Sequence, residues 1–191
     1  MLVSRRFWTP LAQVGACLSA AAACGLVPAP DTTAEHTSPD VALPEGVEPD
    51  DLAVEPNATV VDVIDGDTID VEIGNDRERV RLIGMDTPET VRPNHPVECF
   101  GPEASERLTD LAPAGTAVRL ERDLEPRDTY DRLLAYVYRA EDGLHLNLDQ
   151  VEQGYAEAMP YPPNTALADD FATAERDARG ATRGMWAACP G

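Results

Sequence analysis

The stretch "TIDVEIGNDRERVRLIGM", residues 68–85, decides the fold. Its first six residues alternate strictly between apolar and polar, which is the pattern of a half-buried β-strand. The segment "GNDR" (74–77) indicates a turn, and "ERVRLIGM" (78–85) predicts a returning strand. The sequence therefore predicts a β-hairpin with one apolar face, formed by Ile69, Val71 and Ile73.

The segments around this hairpin predict three more strands and about three α-helices. Apolar and β-branched runs predict strands at 59–64, 116–122 and 133–139. Helical patterns occur at 101–111, at 147–154 with Asn147 as the N-cap, and at 164–184. Five strands interrupted and followed by helices favour an α+β fold, a five-stranded OB-like β-barrel with appended helices.

The charge of the chain limits which functions are plausible. There are 35 acidic and 15 basic residues in 191, every basic residue is arginine, and the formal net charge is −20. Such a charge repels nucleic acid, so any action on nucleic acid must depend on local arginines or a bound cation. The composition therefore argues against a non-specific DNA-binding protein, but it does not exclude a metal-dependent enzyme.

Two N-terminal segments precede the predicted domain, which spans residues 57–191. Residues 1–24 combine an early arginine pair with an uncharged, small-residue run, which predicts a cleaved export signal. The ending "AAAC" makes Cys24 a candidate for lipid attachment, with plain secretion as the alternative. Residues 25–56 hold six prolines, eight acidic residues and no Lys or Arg, which predicts an extended, disordered linker.

Carboxylates cluster in two of the predicted turns. Asp67 ends "DGD" between two strands, although such a motif alone is most often a structural turn. Asp86 and Glu89 lie three residues apart, and Pro88 stiffens the backbone between them. Close carboxylates cannot both ionise cheaply without a cation. We therefore predict Ca²⁺ held by Asp67, Asp86 and a backbone carbonyl.

Two arginines complete the predicted site. Arg81 precedes the acidic turn, and Arg132 precedes the strand at 133–139. A guanidinium binds phosphate through charge-assisted bidentate hydrogen bonds and stays ionised. One arginine before a strand is usually a surface charge, but two arginines beside three acidic residues indicate a phosphoryl-transfer site.

Six motifs in order resemble the staphylococcal nuclease (thermonuclease) family. They are "DGDT", "RLIGMDTPET", "FGPEAS", "YDRLLAY", "QGYA" and "RGMW", and they extend from about residue 58 to residue 187. The resemblance implies a nuclease of the OB-like fold that cleaves the P–O5′ bond of DNA or RNA. Two positions depart from the family pattern, because Thr129 and Asp131 replace a lysine and a glycine and make the pocket less positive.

The resemblance also assigns roles to residues of this chain. Asp67, Asp86 and the Thr87 carbonyl would bind Ca²⁺, and Glu89 would act on the attacking water. Arg81 and Arg132 would hold the phosphate and stabilise the transition state. The nucleotide pocket would be lined by Tyr130 and Tyr161.

Cys99 and Cys189 are the two cysteines of the predicted domain. In an oxidising exterior two remaining cysteines usually pair, and this pair would fasten the last helix to the loop after the acidic turn. Two free thiols are the alternative, and a zinc site with His95 would lack a fourth ligand. We expect His95 and His145 to lie at the surface.

The sequence therefore predicts an exported, monomeric, Ca²⁺-dependent nuclease, extracellular or at the cell surface. DNA or RNA would be its substrate, and it would contact a membrane only through a lipid on Cys24. A non-catalytic OB module that binds nucleic acid or protein is the main alternative. A phosphodiesterase acting on small nucleotides is the second alternative, which the acidic surface favours slightly.

Overall fold

The computed structural model describes residues 53–91 and 96–189. The predicted signal segment, the lipid acceptor Cys24, most of the linker and His95 lie outside these residues. At the start of the described chain, the amides of Ala53 and Val54 both donate to the carbonyl of Ala140, at 2.9 and 3.2 Å. In the described ranges, no helix has the length and apolar character needed to cross a membrane.

Five strands form a closed barrel, as the sequence predicts. The barrel strands are β1 (Ala58–Asp65), β2 (Thr68–Ile73), β3 (Asp76–Leu82), β5 (Ala117–Glu121) and β6 (Leu133–Arg139). Strand β2 pairs with β1 and β3, strand β6 pairs with β3 and β5, and β5 closes the barrel against β1. The β3–β6 pair is parallel, and the other four pairs are antiparallel.

The predicted hairpin is present, but its second strand is divided. Strand β3 starts at Asp76, earlier than predicted, and a separate strand β4 (Gly84–Asp86) pairs with β7 (Glu157–Met159). Gly84 has a φ of +85°, and a Cβ there would lie 2.4 Å from the Phe171 ring. Only glycine suits both this backbone and this close approach, so the chain turns here and leaves the barrel.

The core fills the barrel and the space beneath its helices. The alternating apolar residues of β2 and β3 point inward and are fully buried, except Ile73, which is partly buried. Leu134 and Val137 of β6 are fully buried as well. Arg81 is buried as well, and on β3 it pairs with Thr68 at the end of the hairpin next to the β1–β2 turn. The inward positions of β2 and β3 are Ile69, Val71, Val80 and Leu82.

The helices agree with the prediction in part. Helix α1 (Gly101–Leu111) has the predicted bounds, whereas the helix expected at 164–184 is shorter, α3 (Ala168–Gly180). A short helix that was not predicted, α4 (Met185–Ala188), follows it. Helix α2 (Leu146–Glu152) is capped by His145, so the predicted N-cap Asn147 is wrong. Asn147 instead lies inside the helix, fully buried. Its side-chain NH₂ donates to the Ile83 and Ala135 carbonyls, and its side-chain oxygen accepts the Val137 N–H.

His145 also differs from the expectation of a surface position. Its ring stacks on Tyr138 with centroids 4.4 Å apart and meets the Phe171 ring edge-on at 5.7 Å. Its Nε2 is buried without a hydrogen-bond partner among the described residues. Burial lowers the pKa of His145 from 6.5 to about 4, because the charged imidazolium would lose its hydration.

A disulfide joins Cys99, just before α1, to Cys189, just after α4. The two sulfurs are 2.12 Å apart and the two Cα atoms 5.9 Å apart. The bond connects the last helix to the segment that follows the acidic turn, and it leaves neither thiol available as a zinc ligand.

Candidate active site

The β1–β2 turn presents Asp67 to a pocket. The Asp65 carboxylate accepts the Asp67 amide N–H at 3.1 Å, which closes the turn. Gly66 lets the turn approach its surroundings, since a Cβ there would lie 2.8 Å from the Thr87 hydroxyl and 3.0 Å from Ala104. The turn therefore directs the nearly buried Asp67 toward the residues that follow β4.

Hydrogen bonds fix both oxygens of Asp67. Its Oδ1 accepts the Thr68 hydroxyl at 2.9 Å. Its Oδ2 accepts the Thr87 hydroxyl at 3.1 Å and the Thr87 amide at 3.3 Å. The bonds to Thr87 join the start of β2 to the turn after β4, so the two predicted acidic turns lie in direct contact.

Arg81 lies between the two acidic residues predicted as metal ligands. Its Nη1 faces Asp67, and its Nη2 donates to Asp86 Oδ1 at 2.6 Å and to the Met85 carbonyl at 3.2 Å. Burial and repulsion from the Arg132 cation lower the pKa of Arg81, although attraction to Asp86 opposes the change. A single guanidinium thus holds two carboxylates together.

Glu89 lies at the base of the loop that leads to α1. Its Oε1 accepts the amides of Thr90 at 3.0 Å and Val91 at 2.9 Å. Its own amide donates to Glu98 Oε2 at 3.0 Å, and its carbonyl accepts the Glu98 N–H at 2.9 Å. Glu98 therefore positions Glu89 from the other side of the loop, a role that the sequence did not reveal.

Arg132 is held by a residue that the sequence analysis did not identify. The side chain of Asp128 is only 1% exposed, and it accepts Arg132 Nε–H at 2.7 Å. It also accepts the backbone amides of Arg132 and Tyr130, both at 2.9 Å. The signal available was an acid four residues before an arginine, in "DTYDR" (128–132).

The two predicted nucleotide-pocket tyrosines lie in different settings. Tyr130 is 81% exposed, and the Arg132 guanidinium carbon lies 5.6 Å from its ring centroid. Tyr161 packs against the core and pairs with Asn164 after β7. Neither tyrosine is among the residues that line the pocket, but the ring of Tyr130 is accessible next to the lining residue Arg132.

The predicted catalytic residues meet in one open pocket of about 480 Å³. Five carboxylates and two guanidinium groups line it, which gives a formal charge of −3 when all are ionised. Burial raises the pKa of Asp65, and the charge of Glu89 adds to this effect. The lining residues are Asp65, Asp67, Arg81, Asp86, Thr87, Pro88, Glu89, Thr90, Val91, Glu98 and Arg132.

The donor set of this pocket fits a hard cation. Asp67 and Asp86 contact the same guanidinium, so their carboxylates lie close together, and Thr87 follows Asp86 directly. Ca²⁺ takes carboxylate, carbonyl and water oxygens, and the pocket carries excess negative charge. In residues 53–91 and 96–189, no three His, Cys, Asp or Glu side chains form a ready metal cluster. Backbone carbonyl and water oxygens would therefore have to complete the coordination.

Comparison with known proteins identifies the family. Residues 79–188 match the family model described as "Staphylococcal nuclease homologue", which is more than half of the chain. The chain belongs to the staphylococcal nuclease family. The family match runs from β3 to the end of α4, and it therefore includes Arg81, Asp86, Glu89 and Arg132.

Named relatives of this staphylococcal nuclease family member agree with that assignment. The thermonuclease of Staphylococcus intermedius is 43% identical over 124 residues, or 65% of this chain and 72% of the relative. The thermonuclease of Staphylococcus hyicus is 39% identical over 127 residues, covering 66% and 73%. Endonuclease YncB of Bacillus subtilis (strain 168) is 39% identical over 132 residues, covering 68% and 61%.

Proposed function

We propose that this protein is an exported, Ca²⁺-dependent nuclease that hydrolyses the P–O5′ bonds of DNA or RNA. Its family makes it a hydrolase of the nuclease type. One observation supports the proposed Ca²⁺-dependent cleavage of phosphodiester bonds. Asp67 and Asp86 contact the single guanidinium of Arg81, and Arg132 lines the same pocket.

The two arginines would act on the scissile phosphate. Arg81 is fixed by the carboxylate of Asp86 and the carbonyl of Met85, and Arg132 is fixed by Asp128. Guanidinium groups held in place before the reaction can neutralise the charge that develops on the phosphate oxygens. The transition state would thus meet cations that need no rearrangement.

Glu89 would orient or deprotonate the attacking water. The oxygen of that water joins phosphorus, and the leaving O5′ takes up a proton, so the cut leaves a 3′-phosphate end. The carboxylate of Glu89 lies on the pocket wall, with its backbone held on both sides by Glu98. Asp67, Asp86 and the Thr87 carbonyl would hold Ca²⁺, which would polarise a non-bridging oxygen and orient the water.

Tyr130 supports a preference for unpaired nucleotides. Its ring is 81% exposed next to Arg132, so a base could stack on it while the adjacent phosphate meets the guanidinium. Bases inside a duplex do not offer a free face. We therefore propose single-stranded or frayed DNA and RNA as the better substrates, cut by a monomeric enzyme.

The disulfide supports the proposal of export. Such bonds persist in oxidising compartments, and this chain joins Cys99 to Cys189. A mature protein that begins at a lipid-modified Cys24 would be tethered to the cell surface. Mass spectrometry of the mature N-terminus tests this: an intact Met1 would contradict export, and an unmodified new terminus would mean plain secretion.

A cleavage assay separates this proposal from its two alternatives, a non-catalytic binding module and a phosphodiesterase acting on small nucleotides. The purified protein is incubated with single-stranded DNA, RNA, plasmid and a nitrophenyl-thymidine diester, with Ca²⁺, with Mg²⁺ or with a chelator. Cleavage of the polymers in Ca²⁺, abolished by the chelator, is expected. Binding without cleavage would favour a binding module, and cleavage of the small diester alone would favour a nucleotide phosphodiesterase. Equal rates in Mg²⁺ would contradict the choice of Ca²⁺.

A further inference from the structure

Arg127 joins the loop that carries Arg132 to strand β3. Its Nη1 and Nη2 donate to the two carboxylate oxygens of Glu78, at 3.0 and 2.8 Å. Its Nη1 also donates to the backbone carbonyl of Asp131 at 2.7 Å. We call these contacts the Arg127–Glu78 clamp.

The two ends of the clamp lie close in sequence to the two candidate catalytic arginines. Glu78 lies three residues before Arg81 on the same strand, and Asp131 directly precedes Arg132. Parallel pairing of β3 with β6 starts only at Val80 and Leu133. The clamp therefore extends the connection between the two segments beyond the last backbone pair of the sheet.

The backbone before Arg132 also needs such support. Asp131 has a φ of +66°, in the left-handed region that residues other than glycine seldom adopt. Its carbonyl is the one that Arg127 binds, and its amide donates to the Asp128 carbonyl at 3.1 Å. The clamp thus fixes the orientation of the peptide group from which Arg132 projects.

Arg127 and Glu78 do not line the pocket, so they would not touch substrate there. Both side chains are partly exposed, at 35% and 27%, and ion pairs of this kind contribute little to the stability of a fold. The two nitrogens of Arg127 both bind the Glu78 carboxylate, and one of them also binds the Asp131 carbonyl. Such a contact fixes the geometry of the loop, which explains its presence better than a contribution to stability does.

We propose that Arg127 and Glu78 are positioning residues that set the distance between the guanidinium groups of Arg81 and Arg132. The inference rests on the proposed function, in which both guanidinium groups act on one phosphate. Catalytic groups must meet the transition state in a fixed arrangement, so a small displacement of one of them can lower the reaction rate strongly. The loss of a surface ion pair, by contrast, changes the stability of the fold only slightly.

The test measures kcat and KM on a short single-stranded oligonucleotide with Ca²⁺. Arg127→Gln and Glu78→Gln are each expected to lower kcat by about ten- to a hundredfold, with KM changed less than about twofold. Arg127→Lys keeps the charge without the bidentate geometry and should give an intermediate kcat. Thermal unfolding of each variant verifies that it is folded.

Arg139→Gln is the matched control, and it should leave kcat unchanged. Arg139 makes a similar set of contacts at the far end of β6, with two nitrogens on Asp142 and one on the Leu111 carbonyl. A double variant tests whether Arg127 acts through Arg132. Once Arg132→Ala is present, Arg127→Gln should cause no further loss, since the group that it positions is gone.

The outcomes separate the inference from the function on which it rests. An active wild type with full kcat in both Arg127→Gln and Glu78→Gln would overturn the clamp alone. Losses confined to KM, or fully multiplicative losses with Arg132→Ala, would overturn it as well. A folded wild type without metal-dependent cleavage of any diester would overturn the proposed function, and the inference with it.

Discussion

The carboxylate of Asp128 accepts the Nε–H of Arg132 at 2.7 Å, and only 1% of the Asp128 side chain is exposed. Burial alone would raise the pKa of Asp128. Hydrogen bonds from the Arg132 side chain and from the amides of Arg132 and Tyr130 outweigh burial, so its pKa is lowered and the carboxylate stays ionised. One buried carboxylate therefore holds the Arg132 guanidinium and the backbone of Tyr130, whose ring is exposed.

We expect Asp128→Asn to lower kcat by about ten- to a hundredfold, because an amide NH₂ would oppose the Arg132 donor and misplace the guanidinium. Steady-state kinetics on single-stranded DNA measure the effect. Asp142→Asn is the matched control. The Asp142 carboxylate likewise accepts hydrogen bonds from an arginine side chain, that of Arg139, and from a backbone amide, but it lies at the other end of β6, away from the pocket. Equal kinetics for both variants would contradict the role of Asp128.

Glu89→Ala and Arg132→Ala are each expected to lower kcat by at least about a thousandfold. The first loses the group that orients the water, and the second loses a cation that stabilises the transition state. Single-turnover cleavage in saturating Ca²⁺ measures the chemical step. Glu106→Ala, an exposed position on α1, serves as the control. A near-normal rate in either variant would remove that residue from the mechanism.

The disulfide is expected to stabilise the fold by about 3–5 kcal/mol, because it closes a loop with a sequence separation of 90 residues. Cys99→Ser with Cys189→Ser should lower the free energy of unfolding by that amount in urea titrations. Non-reducing peptide mapping of the wild type should find Cys99 joined to Cys189. Two free thiols in the mature protein would contradict the bond.

His145 should make the protein less stable in acid. Its folded-state pKa of about 4 lies below 6.5, so the unfolded state binds a proton first as the pH falls. Stability is therefore unaffected well above pH 6.5 and declines between there and about pH 4. The full loss is about 3 kcal/mol, since one pKa unit corresponds to about 1.4 kcal/mol.

His145→Phe removes the titration and keeps a ring beside Tyr138. The difference in unfolding free energy between variant and wild type should grow by up to about 3 kcal/mol from pH 7 to pH 4. Chemical denaturation at several pH values measures this difference. Parallel pH profiles for the two proteins would show that His145 is not the titrating group.

The sequence predicted the barrel well because its signals are local. Strand β6 and helix α1 have the predicted bounds, since an apolar run and a proline at the first turn mark them directly. The break at Gly84 was missed because it depends on Phe171, a residue of a distant helix. Asn147 was misassigned for a similar reason, since its partners Ile83 and Ala135 are remote in sequence.

The sequence predicted which charged side chains lie together in the candidate site, but it did not predict the residues that hold them in place. Asp67, Arg81, Asp86, Glu89 and Arg132 line one pocket, and family motifs indicated all of them. Asp128 and Glu98 carry no motif of their own, because their roles exist only once the loops have folded against each other. A residue that holds another side chain in place can be recognised only from its contacts in the folded protein, and a single sequence does not show those contacts.

Strand β6 is the last strand of the barrel, so the candidate active site can be completed only late in protein synthesis. The acidic residues and Arg81 leave the ribosome well before Arg132, and β6 must then pair with both β3 and β5 to close the barrel. A nascent chain that ends before Arg132 therefore carries the proposed cation ligands without the second guanidinium. We therefore expect a nascent chain to cleave no nucleic acid until the last barrel strand has been translated.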